Sequence, residues 1–153
     1  MTAILKTIVV TLVCLVIADV LGVVACTFFD VAPIRGSDSA MLPYAIWFVF
    51  GVFCGLFMFS WAAGWVAKVD LSRKDAKALP ASVANLVFLT STAVLLALAG
   101  FFHWLYWSRG VNGEYYVPDS MPHTITFIVA VLGGMWLSRS VDMSGAAQTG
   151  AAE

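Results

Sequence analysis

Four long apolar runs fill most of this chain and predict an all-α integral membrane protein, an antiparallel four-helix bundle. Two further observations support that class. Hydrophobic residues make up 61% of the 153 residues and charged residues only 11%, which excludes both an ordinary soluble domain and a disordered chain. The connections between the runs are short, so function has to reside in the bundle, at its rims or in a partner.

The first span is read from about Ile4 to Phe29. The second, about Met41 to Val69, is opened by the capping-type stretch Ser37-Asp38-Ser39 and carries Pro43 in its first turn, where the missing N–H does no harm. The third runs from about Ala81 to Trp107, with Pro80 at its start. The fourth, about Pro122 to Ser138 after Asp119-Ser120, is the shortest. Residues 1–139 thus form one transmembrane domain. The segment 140–153, rich in Ser, Gly, Ala and Gln without apolar periodicity, reads as a disordered tail.

Lys and Arg placement gives an orientation, because positive charge is retained on the cytoplasmic side. Lys68, Arg73, Lys74 and Lys77 follow the second span, and with an even number of spans Lys6 and Arg139 fall on the same side, against Arg35 and Arg109 opposite. Both termini are expected in the cytoplasm, the location being a bacterial inner membrane. Ser72-Arg73-Lys74-Asp75 has the capping-box pattern, but a solvated or headgroup-facing turn is the simpler reading. The net charge of −1 and the absence of a basic patch exclude nucleic acid as a partner.

Cys14, Cys26 and Cys54 sit in apolar runs without CxxC spacing and read as small buried hydrophobes. Val23-Val24-Ala25-Cys26 resembles a lipoprotein cleavage box, but Asp19 interrupts the stretch that such signals keep uncharged, so the span is expected to be retained.

At about 100° per residue, Thr11, Ala18, Gly22 and Ala25 share a stripe of the first helix with Asp19 beside it. Gly51, Gly55 and Ala62 align in the second, Asn85, Thr92, Ala99 and His103 in the third, and Thr126, Ala130 and Gly133 in the fourth. Small and polar seams are what packs helices in lipid, so all four are expected to face inward, with Gly22, Gly51, Gly55 and Ala62 as packing positions. Asp19 lies roughly 15 Å below the outer end of its helix, level by this estimate with Gly55, Gly133 and the turn starting at Thr92. An ionised carboxylate there costs about 2.5–3.5 kcal/mol on insertion scales. It must be neutralised, hydrogen-bonded or wet, and Thr92 is the expected partner if its role is to tie helices together.

Ile17-Ala18-Asp19-Val20-Leu21-Gly22 resembles the first-helix segment of the small multidrug resistance transporters, and Tyr44-Ala45-Ile46-Trp47 also looks like a string from that family. The resemblance covers about ten residues. It implies a carboxylate that exchanges protons for a cationic substrate, although in that family the acid is normally Glu and the second string belongs to the third helix.

Around Asn112-Gly113, Trp104, Tyr106, Trp107, Tyr115 and Tyr116 form an aromatic cluster at the outer rim, with His103 and His123 nearby. Interfacial anchoring accounts for such rings, and a contact surface for a partner is the sharper reading of His103, Trp104, Trp107, Tyr115, Tyr116 and His123. Their shallow position favours neither a metal site nor a haem pair, and no catalytic constellation is legible. The sequence therefore leads to a non-catalytic accessory or assembly subunit, or a self-associating module, whose partners are the bilayer and other membrane chains. The alternative is a small proton-coupled carrier using Asp19. No cofactor is expected.

Overall fold

The computed structural model describes residues 2–29, 41–68, 79–108 and 117–149, excluding the side chains of 105–108, 117–123 and 141–149. It is all-α, with four helices: α1 Ala3–Phe28, α2 Met41–Ala67, α3 Ala81–Ser108 and α4 Val117–Thr149. Thr2 caps α1, its hydroxyl accepting from the Leu5 N–H at 3.4 Å. Lys68 ends α2 in the left-handed region at φ 57°, a conformation that halts the helix and strains any side chain with a Cβ. Pro80 opens α3, its carbonyl accepting from the N–H groups of Val83 and Ala84. The Ser72-Arg73-Lys74-Asp75 pattern lies outside the described residues.

Three of these helices, α1, α2 and the Ala81–Trp104 part of α3, are long and apolar enough to cross a membrane, while the apolar part of α4 is the 17-residue stretch Thr124–Ser140. The fourth helix departs from the sequence reading at both ends. It begins at Val117, with Pro118 at the second position, where a missing N–H is cheap, so that Pro122 falls at the sixth residue rather than at the start. It also continues to Thr149, so the segment read as a disordered tail is helical that far. Nothing before Gly145 breaks the helix, and Met, Ala and Gln favour its continuation.

Helix α2 is the hub. Ile46, Trp47, Gly51, Cys54, Gly55, Met58, Phe59, Ala62 and Ala63 are all buried, more than one stripe can hold, and the helix packs on all three others. Its interface with α4 is the most extensive, and α1 and α4 do not meet among the described residues. The α2–α4 register advances in the same sense on both helices. A Cβ on Gly51 would meet that of Ala130 at 2.7 Å, and Ser60 bonds Ser138 at 2.8 Å. Between α1 and α2 it runs in opposite senses, since Lys6 meets Trp65 and Gly22 meets Trp47.

The core joins Val10, Cys14, Met58, Phe59, Val87, Val131 and Met135 from all four helices. The exterior is equally apolar: Val16, Val20, Phe53, Phe57, Leu89, Ile125, Val129 and Trp136 all point outward. Water would oppose such a surface, whereas lipid accepts it. Helix association then depends on close packing and on buried polar pairs.

Candidate functional site

Helix α1 buries Thr7, Thr11, Cys14, Ala18 and Gly22, a stripe recurring every three or four residues. Asp19 follows Ala18 and is turned about 100° away from it. It is therefore exposed on the outside of the bundle, with no hydrogen-bond partner among the described residues. Leu5, Leu12, Val16 and Val23 share its flank and are exposed to between 39% and 63%.

This corrects the inward placement expected for Asp19. It also removes Thr92 as its partner: the Thr92 hydroxyl donates to the Phe88 carbonyl of its own helix at 2.8 Å. Register gives the reason. Thr11 and Ser91 bond at 2.9 Å, so Thr92 lies near the level of Thr11, while Asp19 is eight residues further along α1, about 12 Å away. The level of Asp19 on α2 falls between Trp47, which packs on Gly22, and Cys54, whose thiol donates to the Cys14 carbonyl at 3.6 Å. Gly51, rather than Gly55, lies at that level.

The glycine seams resolve into specific close approaches. At Gly55 a Cβ would collide with the Val131 carbonyl oxygen and stand 2.8 Å from the Met135 nitrogen. Gly134 makes the reciprocal approach, its Cβ position meeting the Val52 carbonyl oxygen and lying 3.0 Å from the Leu56 nitrogen. Gly133, expected in this seam, has nothing within 4 Å of its Cβ position. Ala62 is fully buried, and the Trp47 ring occupies the space beside Gly22 and meets Phe127 edge-on, centroids 5.8 Å apart. On α3 the inward residues are Ala84, Val87, Ser91 and Leu95, while Asn85 is exposed and Thr92, Ala99 and His103 are half-buried.

The interior leaves little chemistry open. Thr11 with Ser91, and Ser60 with Ser138, satisfy one another across helices, and Thr7 donates to the Ala3 carbonyl. Phe59, Met58 and Met135 are fully buried. Cys14, Cys26 and Cys54 are buried free thiols.

Cations gather at the opposite end from Gly22 and Trp47. Lys6 Nζ donates to the Trp65 carbonyl at 3.0 Å and sits 5.5 Å over its ring, so a positive charge meets the negative end of α2. Arg139 Nη2 donates to Asn85 Oδ1 at 2.6 Å, and its guanidinium lies 5.6 Å over Phe88, with Nε buried and, among the described residues, unpartnered. Sequence reading missed both contacts. A basic residue at the edge of an apolar run was the available signal.

At the end of the bundle away from Lys6 and Arg139, His103 is half-buried and Trp104 exposed, the latter beside Phe101 at 6.2 Å. The side chains of Trp107, Tyr115, Tyr116 and His123 lie outside the described residues. Among the described residues no three His, Cys, Asp or Glu side chains are grouped as a metal site would need. Comparison of the chain with protein-family models, with curated proteins and with solved structures returns no match.

Proposed function

We propose that this chain is a four-span, antiparallel membrane bundle with both termini in the cytoplasm of a bacterial cell, acting as a non-catalytic accessory or assembly subunit of an inner-membrane complex. One observation carries the reading. Among the described residues the buried hydroxyls are paired, while Asp19, the carboxylate at mid-helix depth, faces out of the bundle. An outward charge is costly in lipid unless something beyond the chain meets it. A proton-coupled carrier would instead need Asp19 to line an interior route.

The orientation rests on charge. Lys6, Lys68 and Arg139 belong to the same end of the bundle, and Arg73, Lys74 and Lys77 follow α2 directly. Cysteine labelling of a Cys-less Lys74→Cys protein should occur only from the cytoplasmic side. Labelling from outside would reverse the topology.

The functional test is isolation of the native protein in mild detergent with identification and quantification of every co-purifying chain. A second membrane chain in fixed ratio is the expected result. A single species of this chain alone, together with substrate-driven proton flux in vesicles that Asp19→Asn abolishes, would replace this reading by the carrier.

A further inference from the structure

We infer that the Leu5, Leu12, Val16, Asp19 and Val23 flank of α1 seats a transmembrane helix of another chain that carries a Lys or Arg at mid-bilayer depth, with Asp19 as its counter-charge. The inference rests on the accessory-subunit reading and names the chemistry of the partner.

Spacing defines the seat. At 100° per residue these five positions fall within about 60° of one another, a line along one side of the helix with steps of three, four or seven residues, as a helix-on-helix seam requires. All five are exposed, and the flank is distinct from the buried Thr7, Thr11, Cys14, Ala18 and Gly22 stripe. The other exposed side of α1, Val13, Ile17, Val20 and Val24, has the same apolar character without a charge and needs nothing but lipid.

Charge then selects the occupant. Asp19 is the sole acidic or basic residue of α1 beyond Lys6, and it lies 13 residues, about 20 Å, from that lysine. Among the described residues the cations Lys6, Lys68 and Arg139 all lie toward one end of the bundle, away from the depth of Asp19. A second copy in the same orientation would therefore bring another Asp19 to the seam and double the charge to be buried. A helix with a basic residue at that depth neutralises it with a charge-assisted hydrogen bond, while Leu12, Val16 and Val23 pack against its apolar turns.

The test uses the full chain in phosphatidylcholine vesicles, labelled for energy transfer, with synthetic polyleucine transmembrane peptides bearing one central Lys, one central Glu or neither. The Lys peptide should associate about ten-fold more tightly than the all-Leu peptide. Asp19→Asn, which keeps size and hydrogen-bonding capacity, should erase that preference while leaving the melting temperature unchanged. Val23→Trp should block the seat, and Ile17→Trp, about 120° away on the uncharged side, should not. Equal association of the Lys and all-Leu peptides overturns the inference, as does a preference that survives Asp19→Asn. So does wild-type self-association that Asp19→Leu dissolves, because the occupant would then be a second copy. A partner chain found in the native complex alongside a failed peptide preference would sink this seat and leave the accessory role standing.

Discussion

Replacing Gly55 by alanine places a methyl group where the backbone of α4 already stands. The new carbon would lie 2.8 Å from the Met135 nitrogen and 2.9 Å from the Val131 carbonyl carbon, besides meeting the Val131 oxygen. Ordinary contact needs about 3.5 Å, so the two helices must part by at least about 0.7 Å, and by more to clear the Val131 oxygen. Backbone atoms cannot rotate aside as a side chain would. A gap of that size forfeits about a quarter to a half of the dispersion energy of each contact it opens, and Met58, Phe59, Val131 and Met135 are fully buried in this region. Overpacking costs about 1–3 kcal/mol, and the upper end is expected here. Gly134→Ala makes the reciprocal clash with Val52 and Leu56 and should cost a similar amount. One displacement relieves both, so the double variant should fall short of additivity by about 1 kcal/mol or more. Gly133→Ala, one residue away, meets open space and should stay within about 0.5 kcal/mol of wild type. The assay is reversible unfolding of the purified protein in mild detergent with rising dodecyl sulfate. Wild-type stability of Gly55→Ala and Gly134→Ala, or equal damage from Gly133→Ala, would refute the packing argument.

Two further substitutions probe other links. Thr11→Val keeps shape but strands the Ser91 hydroxyl, and should cost about 1 kcal/mol in the same unfolding assay, a loss that vanishes when Ser91→Ala is already present; two additive effects would mean the bond carries no energy. Lys68→Gly removes a Cβ from a left-handed backbone and should stabilise the end of α2 by about 1 kcal/mol, seen as slower amide exchange there; faster exchange would contradict it.

The long elements were legible because lipid imposes length and apolarity, and α1, α2 and α3 lie within about two residues of the spans read from sequence. The ends of α4 were not, since either Pro118 or Pro122 could open a helix and nothing between Ser138 and Ser144 marks a stop. Which face turns inward was harder. Adjacent Gly133 and Gly134 look alike in sequence, and only the phase of α2 selects Gly134 for the close approach. Polar residues mislead for a different reason: Thr92 satisfies itself on the Phe88 carbonyl and needs no neighbour, whereas Ser91 is buried and bonded to Thr11. Asp19 was misplaced because Ala18 beside it belongs to the buried stripe, and one step along a helix is enough to leave that stripe.

The account turns on whether Asp19 addresses another chain, and photo-crosslinking in living cells tests that most directly. A photoreactive residue at position 23, on the Asp19 flank, is compared with one at position 17, about 120° away on the other exposed side of α1. Position 23 should yield one discrete adduct with a membrane protein whose adjoining helix carries Lys or Arg at that depth. The adduct should disappear with Asp19→Asn, and position 17 should label lipid. Adducts of equal yield at both positions, adducts only with copies of this chain, or an adduct indifferent to Asp19→Asn would contradict the account.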